Sequence, residues 1–212
     1  VTRARTFPAL IPAEAEFVFD PAGSYARCYR TQGSDLAFAA GLLGWSITDD
    51  RFPRALELSA GEGLQVSFRT EHLPGAEHPN TVHVRLRGAG GGTLQAVGQS
   101  VGGGAVEITA VEGWPVRLTG DCHETLVEVS AAGASAAGEA LGSGPDDLAP
   151  PRRLERDGRV LWWVRRNTPL PGELRSRLAS LPGGARLFLG APLSFIKRGP
   201  QLFDSAAGMV EL

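Results

Sequence analysis

Three short stretches gather side chains able to hold or turn over a small polar molecule. The densest is Glu77-His78-Pro79-Asn80-Thr81. Its proline stiffens the backbone, while an imidazole, a carboxamide and a hydroxyl offer donors and acceptors within four positions. A turn of this composition can also satisfy its own backbone, so two readings stand on the residues alone. The second stretch is Gly98-Gln-Ser100-Val-Gly102-Gly103-Gly104. Successive glycines let backbone N–H groups converge on an anion or carboxylate, and Ser100 adds a hydroxyl; a plain glycine hairpin is the alternative. The third is Thr31-Gln32-Gly33-Ser34-Asp35 ahead of an apolar run, where a helix N-terminus favours anions and simple capping by Ser34 accounts for it equally.

Other chemistries find no residues. Neither glycine stretch ends in Lys-Ser/Thr, and a strand follows where a dinucleotide fold would place a helix. His72, His83 and His123 are dispersed, and the spacing predicts no metal site. Cys28 and Cys122 lack C-x-x-C spacing and are too few for a disulfide scaffold or an iron–sulfur cluster held by this chain alone. Both are expected to be buried thiols in a reducing compartment. With 28 Gly and 15 Pro in 212 residues, about a fifth of the chain, a helical bundle or coiled coil is excluded. A net charge of -2 with 42% hydrophobic residues argues against disorder.

Charge is unevenly spread. Residues 1–150 hold 10 Arg against 18 Asp and Glu, whereas residues 151–200 hold 11 Lys and Arg against 3 Asp and Glu. The basic stretch lacks a ladder of stacking aromatics, because adjacent Trp162 and Trp163 must face opposite ways on a strand. It reads as a basic face meeting the acidic first half or an acidic partner, not as a nucleic-acid footprint. The longest apolar run, Leu36 to Trp45, is about half a membrane span, and no secretory signal is visible, so a cytoplasmic protein is expected.

The elements that must position these residues follow from periodicity. Residues 14–20 and 24–30 are predicted as strands about a Pro21-Ala-Gly23 turn, followed by a helix from Ser34 to Gly44 and a second from Pro53 to Gly61. Alternating apolar residues at 64–68, 82–86, 94–97, 106–108 and 116–118 predict an antiparallel meander. From Thr125 the order becomes strand, helix, two strands about Asp157-Gly158, helix, strand: the ferredoxin-like split unit βαββαβ. The expected class is α+β with two domains, residues 1–120 with helices packed on an antiparallel sheet and residues 121–192 ferredoxin-like, and a tail over 193–212.

The segments Ser34-Asp35-Leu-Ala-Phe-Ala-Ala-Gly41-Leu-Leu-Gly44, Asp49-Asp50-Arg51-Phe-Pro53, His78-Pro79-Asn80-Thr81 and Ser100-Val-Gly102-Gly-Gly104, in this order, resemble the β subunit of the iron–sulfur-dependent L-serine dehydratases. The resemblance covers residues 1–125 and implies an allosteric substrate-binding-like fold. The remainder is similar to an ACT domain by element order. The resemblance implies a partner α subunit or domain carrying a [4Fe–4S] cluster, with no catalytic residue, metal or cofactor in this chain alone. It implies that His78, Asn80 and Thr81 hold polar groups of L-serine, that Ser100 and the Gly102, Gly103 and Gly104 amides receive its carboxylate, and that Gln32, Ser34 and Asp35 close the pocket. Gln32 stands where the family usually has histidine, so no group there titrates near neutrality. Residues 202–212 resemble the first helix of an α subunit, implying a piece of a fused chain; the family's Ser-Ser-Ser-His-Thr motif is expected upstream of Val1. A homo- or hetero-oligomer, with neither nucleic acid nor membrane as partner, completes the expectation. The rival reading is a stand-alone amino-acid-binding regulatory module without lyase activity.

Overall fold

The structure is a computed structural model and describes residues 11–181 and 183–193; the tail helix expected at 202–212 lies outside these residues. The class is α+β. Among the described residues, six strands form one sheet and four a second. The first sheet comprises β1 (Pro12–Phe19), β2 (Gln65–Thr70), β3 (Thr81–Gly88), β4 (Thr93–Gly102), β5 (Ala105–Val111) and β6 (Trp114–Leu118), in the order β2-β1-β3-β4-β5-β6. Between β1 and β2 the chain runs through α1 (Tyr25–Cys28), α2 (Ser34–Leu43), a 3-10 turn at Phe52–Arg54 and α3 (Ala55–Ser59).

This crossover corrects the expectation of a wholly antiparallel sheet: β1 and β2 pair in parallel, with Phe17 opposite Phe68, and the sheet is mixed. A parallel pair requires a long connection, which the helical segments provide. The second correction lies at residues 24–30, which are helical through Tyr25–Cys28 and not a strand. Tyr25 and Tyr29, four apart, fall on one helical face and both meet Phe19, edge-on at 5.2 Å and stacked at 4.4 Å. With Phe17, Phe38 and Phe68 they form an aromatic core under α1 and α2. The third correction concerns the start of α2: Gly33, in left-handed conformation, is the cap residue, and Ser34 makes no capping bond.

The second sheet contains β7 (His123–Ser130), β8 (Arg152–Arg156), β9 (Arg159–Arg166) and β10 (Ala185–Gly190), in the order β10-β7-β9-β8. Helices α4 (Ala134–Leu141) and α5 (Gly172–Ala179) cover one of its faces over Val127, Val129, Val160 and Leu187. The opposite face, through Leu126, Leu161, Trp163 and Phe188, packs on Leu94, Val111, Trp114 and Val116 of the first sheet. Strand β7 is therefore buried on both faces from Glu124 to Val129, and the two glutamates it carries inside are each met by a tryptophan Nε1, Glu124 by Trp163 and Glu128 by Trp114. Trp162 and Trp163 do face opposite ways, one toward α4 and the other toward the first sheet.

Candidate functional site

Strand direction brings the first two chemical stretches to one end of the large sheet. Phe19 lies opposite Thr70 in the parallel pair and opposite Val82 across β3, while Thr81 lies opposite Gln99. The carboxyl ends of β1 and β2, the entrance of β3 and the exit of β4 therefore share one rim. Crevices at the carboxyl ends of parallel strands are common ligand sites.

Asp20, immediately after β1, holds this rim together. It is buried, its Oδ1 accepts from Ala22 N at 2.8 Å, and its Oδ2 accepts from Leu73 N at 2.9 Å. Its own amide donates to the Thr81 carbonyl at 3.1 Å. These N–H donors, Leu73 first, hold its carboxyl below the usual aspartate range. Gly23 is the second fastening point. A side chain there would place its first carbon 2.2 Å from the Pro79 carbonyl oxygen and 2.4 Å from Asn80 Oδ1, so only glycine lets the two turns approach.

Within the His78–Thr81 turn the polar groups divide. Asn80 N donates to His78 Nδ1 at 3.1 Å, and the Thr81 hydroxyl donates to the His78 carbonyl at 2.6 Å. Accepting at Nδ1 leaves His78 as the Nε2–H tautomer. Thr81 is buried, its hydroxyl spent inside the turn. Asn80 Oδ1 accepts from Tyr25 N at 3.0 Å and from the Ser24 hydroxyl at 3.5 Å, tying the β3 entrance to α1. Its carbonyl accepts from Ser100 N at 3.1 Å. What remains of this pair, His78 Nε2–H and the Asn80 amide N–H groups, consists of donors.

The third stretch joins the rim only through Ser34. Its hydroxyl reaches the Tyr25 phenol, whose ionisation is pushed up by burial, and its amide donates to the Tyr29 carbonyl at 2.8 Å. Asp35 turns its carboxylate onto Leu36 N at 2.9 Å, occupying the start of α2 with the protein's own anion. Gln32 is exposed. Gly102, Gly103 and Gly104 form the tip of the β4–β5 hairpin with φ of 95°, 60° and 78°, and nothing lies within 4 Å of where a side chain would stand. Three consecutive left-handed residues are affordable only as glycine. The tip stands beyond Ser100, which joins the rim. Asp20, Gly23 and Tyr25 were not singled out from the sequence; the one signal was Asp20-Pro21 closing an apolar strand.

One cluster with metal-ligand chemistry occurs among the described residues, Asp121, Cys122 and Glu124, whose ligand atoms lie within 4.8 Å of one another. Its carboxylates are already engaged: Arg165 Nη2 donates to Asp121 at 3.1 and 3.2 Å, and Trp163 Nε1 donates to Glu124 at 2.6 Å. Burial pushes the Cys122 thiol up to about 11 and the Glu124 carboxyl upward as well. Within the fold, Asp121 is thus paired with Arg165 and Glu124 with Trp163, and the Cys122 thiol lies beside Glu124 at 3.6 Å. No helix among the described residues is long and apolar enough to cross a membrane.

The arginines of the second half meet the acids of the first. Arg159 pairs with Glu128 at 2.7 Å, Arg166 with Asp147 at 2.9 Å and Arg186 with Glu112 at 2.8 Å. Arg156 donates to the carbonyls of Glu112 and Gly113.

No established family profile matches the chain. Over 105 residues, half of its length, it is 35% identical to a protein of Bacillus subtilis strain 168 described as a probable L-serine dehydratase β chain, covering 47% of that protein. Over 106 residues it is 33% identical to the L-serine dehydratase β chain of Peptoniphilus asaccharolyticus, covering 48% of it. The aligned part thus spans about half the length of the curated relatives it matches.

Proposed function

We propose that this chain is the β subunit, or β portion, of an iron–sulfur-dependent L-serine dehydratase, which converts L-serine to pyruvate and ammonia. The observation that carries this reading is the similarity, over half the chain, to two L-serine dehydratase β chains. The rim supports it by its chemistry. His78 Nε2–H, the Asn80 amide and the hairpin-tip amides of Gly102–Gly104 are donors that suit a carboxylate, and the Ser100 hydroxyl adds a donor and an acceptor. In this reading His78 and Asn80 hold serine, Thr81 shapes their turn, and Gly102–Gly104 with Ser100 receive the carboxylate. Ser34 and Asp35, with Gln32 on the preceding turn, bound the pocket on the α2 side.

The cluster of such enzymes does not fit the residues of this chain. Cys28 sits on α1 and Cys122 ahead of β7 beside Glu124, whereas cluster thiolates must converge. The cluster belongs on an α partner, and this chain's own part is to bind and orient substrate and to assemble with that partner in the cytoplasm. The split βαββαβ order of the second sheet supports reading residues 121–192 as an ACT-like unit after a substrate-binding-like unit at 1–120, and the shared core joins the two.

Calorimetry of the full chain with L-serine tests the site. Saturable binding is expected, and abolished in His78→Ala and Asn80→Ala. Affinity unchanged by both substitutions would overturn the pocket assignment, leaving the family reading to be judged by assembly with an α partner.

A further inference from the structure

The donors at the rim leave one need of an amino acid unmet. His78 Nε2–H, the Asn80 amide and the hairpin-tip amides suit a carboxylate, but the α-ammonium group of a zwitterion requires an acceptor. Two nearby carboxylates are poorly placed to give it. Asp35 is turned onto Leu36 N at 2.9 Å, and Glu77 is exposed, with no partner among the described residues to orient it. The loop that follows β2 carries a better one. Glu71 N donates to the Phe19 carbonyl at 3.0 Å and Leu73 N to Asp20 Oδ2 at 2.9 Å, so the backbone on both sides of His72 is fastened to the end of β1. Leu73 is buried, and its carbonyl accepts from Ala76 N at 3.1 Å across a tight turn in which Gly75 takes a φ of 79°. The His72 side chain, by contrast, is 81% exposed, so packing places no demand for histidine at this position.

We infer that His72 is the ammonium acceptor of the rim and sets the site's preference for an amino acid over the corresponding hydroxy acid. Its Nδ1 faces Oδ2 of the buried Asp20 at 3.7 Å. A ring nitrogen that faces a carboxylate keeps the proton, which leaves Nε2 with a free lone pair; contacts of this kind are often long before substrate binds. The two rim imidazoles are thus opposite in sense. His78 accepts at Nδ1 from Asn80 N at 3.1 Å and donates outward, whereas His72 accepts outward. Asp20 joins the two loops that carry them, because its amide donates to the Thr81 carbonyl at 3.1 Å while its carboxylate holds the His72 loop. The other charge on that loop, Glu71, is paired with Arg69. An imidazole backed by an anion bonds a cationic donor more strongly than a neutral hydroxyl, so the site discriminates by the charge of the α-substituent. The inference rests on the proposed serine site.

Calorimetry of the full chain with L-serine and with L-glycerate, which carries a hydroxyl where serine has its ammonium group, tests it. L-serine is expected to bind about tenfold or more tightly than L-glycerate. His72→Ala should bring L-serine down to the level of L-glycerate with a much smaller change for L-glycerate, whereas His78→Ala weakens both. Far-UV dichroism confirms that each variant folds. Equal affinity for the two ligands in the unsubstituted chain, a preference intact in His72→Ala, or a preference lost in Asp35→Asn or Glu77→Gln in its place, overturns the inference and leaves the serine site standing. Absence of L-serine binding by the unsubstituted chain overturns both.

Discussion

The seam between the two sheets and the rim at the end of β1 are held by different interactions. The seam is apolar at its centre, with Trp114, Leu126, Leu161 and Phe188 interdigitated, and is edged by arginines paired with acids. The rim lies at the end of the aromatic core of Phe19, Tyr25 and Tyr29. Its turns are fixed by side chains bonded to backbone, Asp20 to Leu73 and Ala22, and Asn80 to Tyr25. The seam can therefore set the stability of the molecule while the rim sets the placement of donors, and substitutions should separate the two.

The largest effect is expected at the seam. Trp114 is 1% exposed and its Nε1 donates to buried Glu128 at 3.2 Å, so Trp114→Ala should cost about 3–5 kcal/mol in denaturant unfolding. A loss below about 1 kcal/mol would remove the seam from its place as the shared core. At the rim, Gly23→Ala forces the 20–25 and 78–81 turns apart and should cost about 1–3 kcal/mol. Faster amide exchange is expected at those turns and unchanged exchange in β7 and β9; uniform loosening of the whole chain would break the distinction. Asn80→Ala strands the Tyr25 amide and should cost about 1–2 kcal/mol, smaller than the seam loss yet sufficient to abolish serine binding.

How far the sequence reaches differs between the same two regions. Alternation at 82–86, 94–97 and 126–129 sufficed for the strands, because each buries one or both faces in a local pattern. The parallel pairing of β1 with β2 was not legible, since no local pattern records which distant strand lies alongside. Tyr25 and Tyr29 sit four apart, a helical spacing, but the short run of 24–30 reads equally as alternation. At the rim, His78 and Asn80 stood out by density of polar groups. Asp20, Gly23 and Tyr25 did not, because each acts through a single long-range contact that only the fold creates.

Titration distinguishes the regions most gently. The Glu124 carboxyl, at the start of β7, is raised above its ordinary value by burial, so the folded state holds its proton more tightly than the unfolded chain. Its contribution is full below the ordinary glutamate range and is lost as pH rises through the elevated folded value. Asp20 behaves oppositely: its depressed value gives stability that is present above the ordinary aspartate range and lost as pH falls through the folded value. Glu124→Gln should flatten the first slope and Asp20→Asn the second, each read from unfolding midpoints against pH. Slopes unchanged by the substitutions would assign them to other groups.

The proposed role of this chain is to supply the β portion of a serine dehydratase. Its most direct test is anaerobic mixing of the full chain with a cluster-bearing α polypeptide, followed by measurement of pyruvate released from L-serine. No pyruvate is expected from the chain alone, release is expected upon mixing, and that release is expected to be lost with Asn80→Ala although the complex still forms. Failure to associate with any such α polypeptide, or release undiminished by Asn80→Ala, would contradict it.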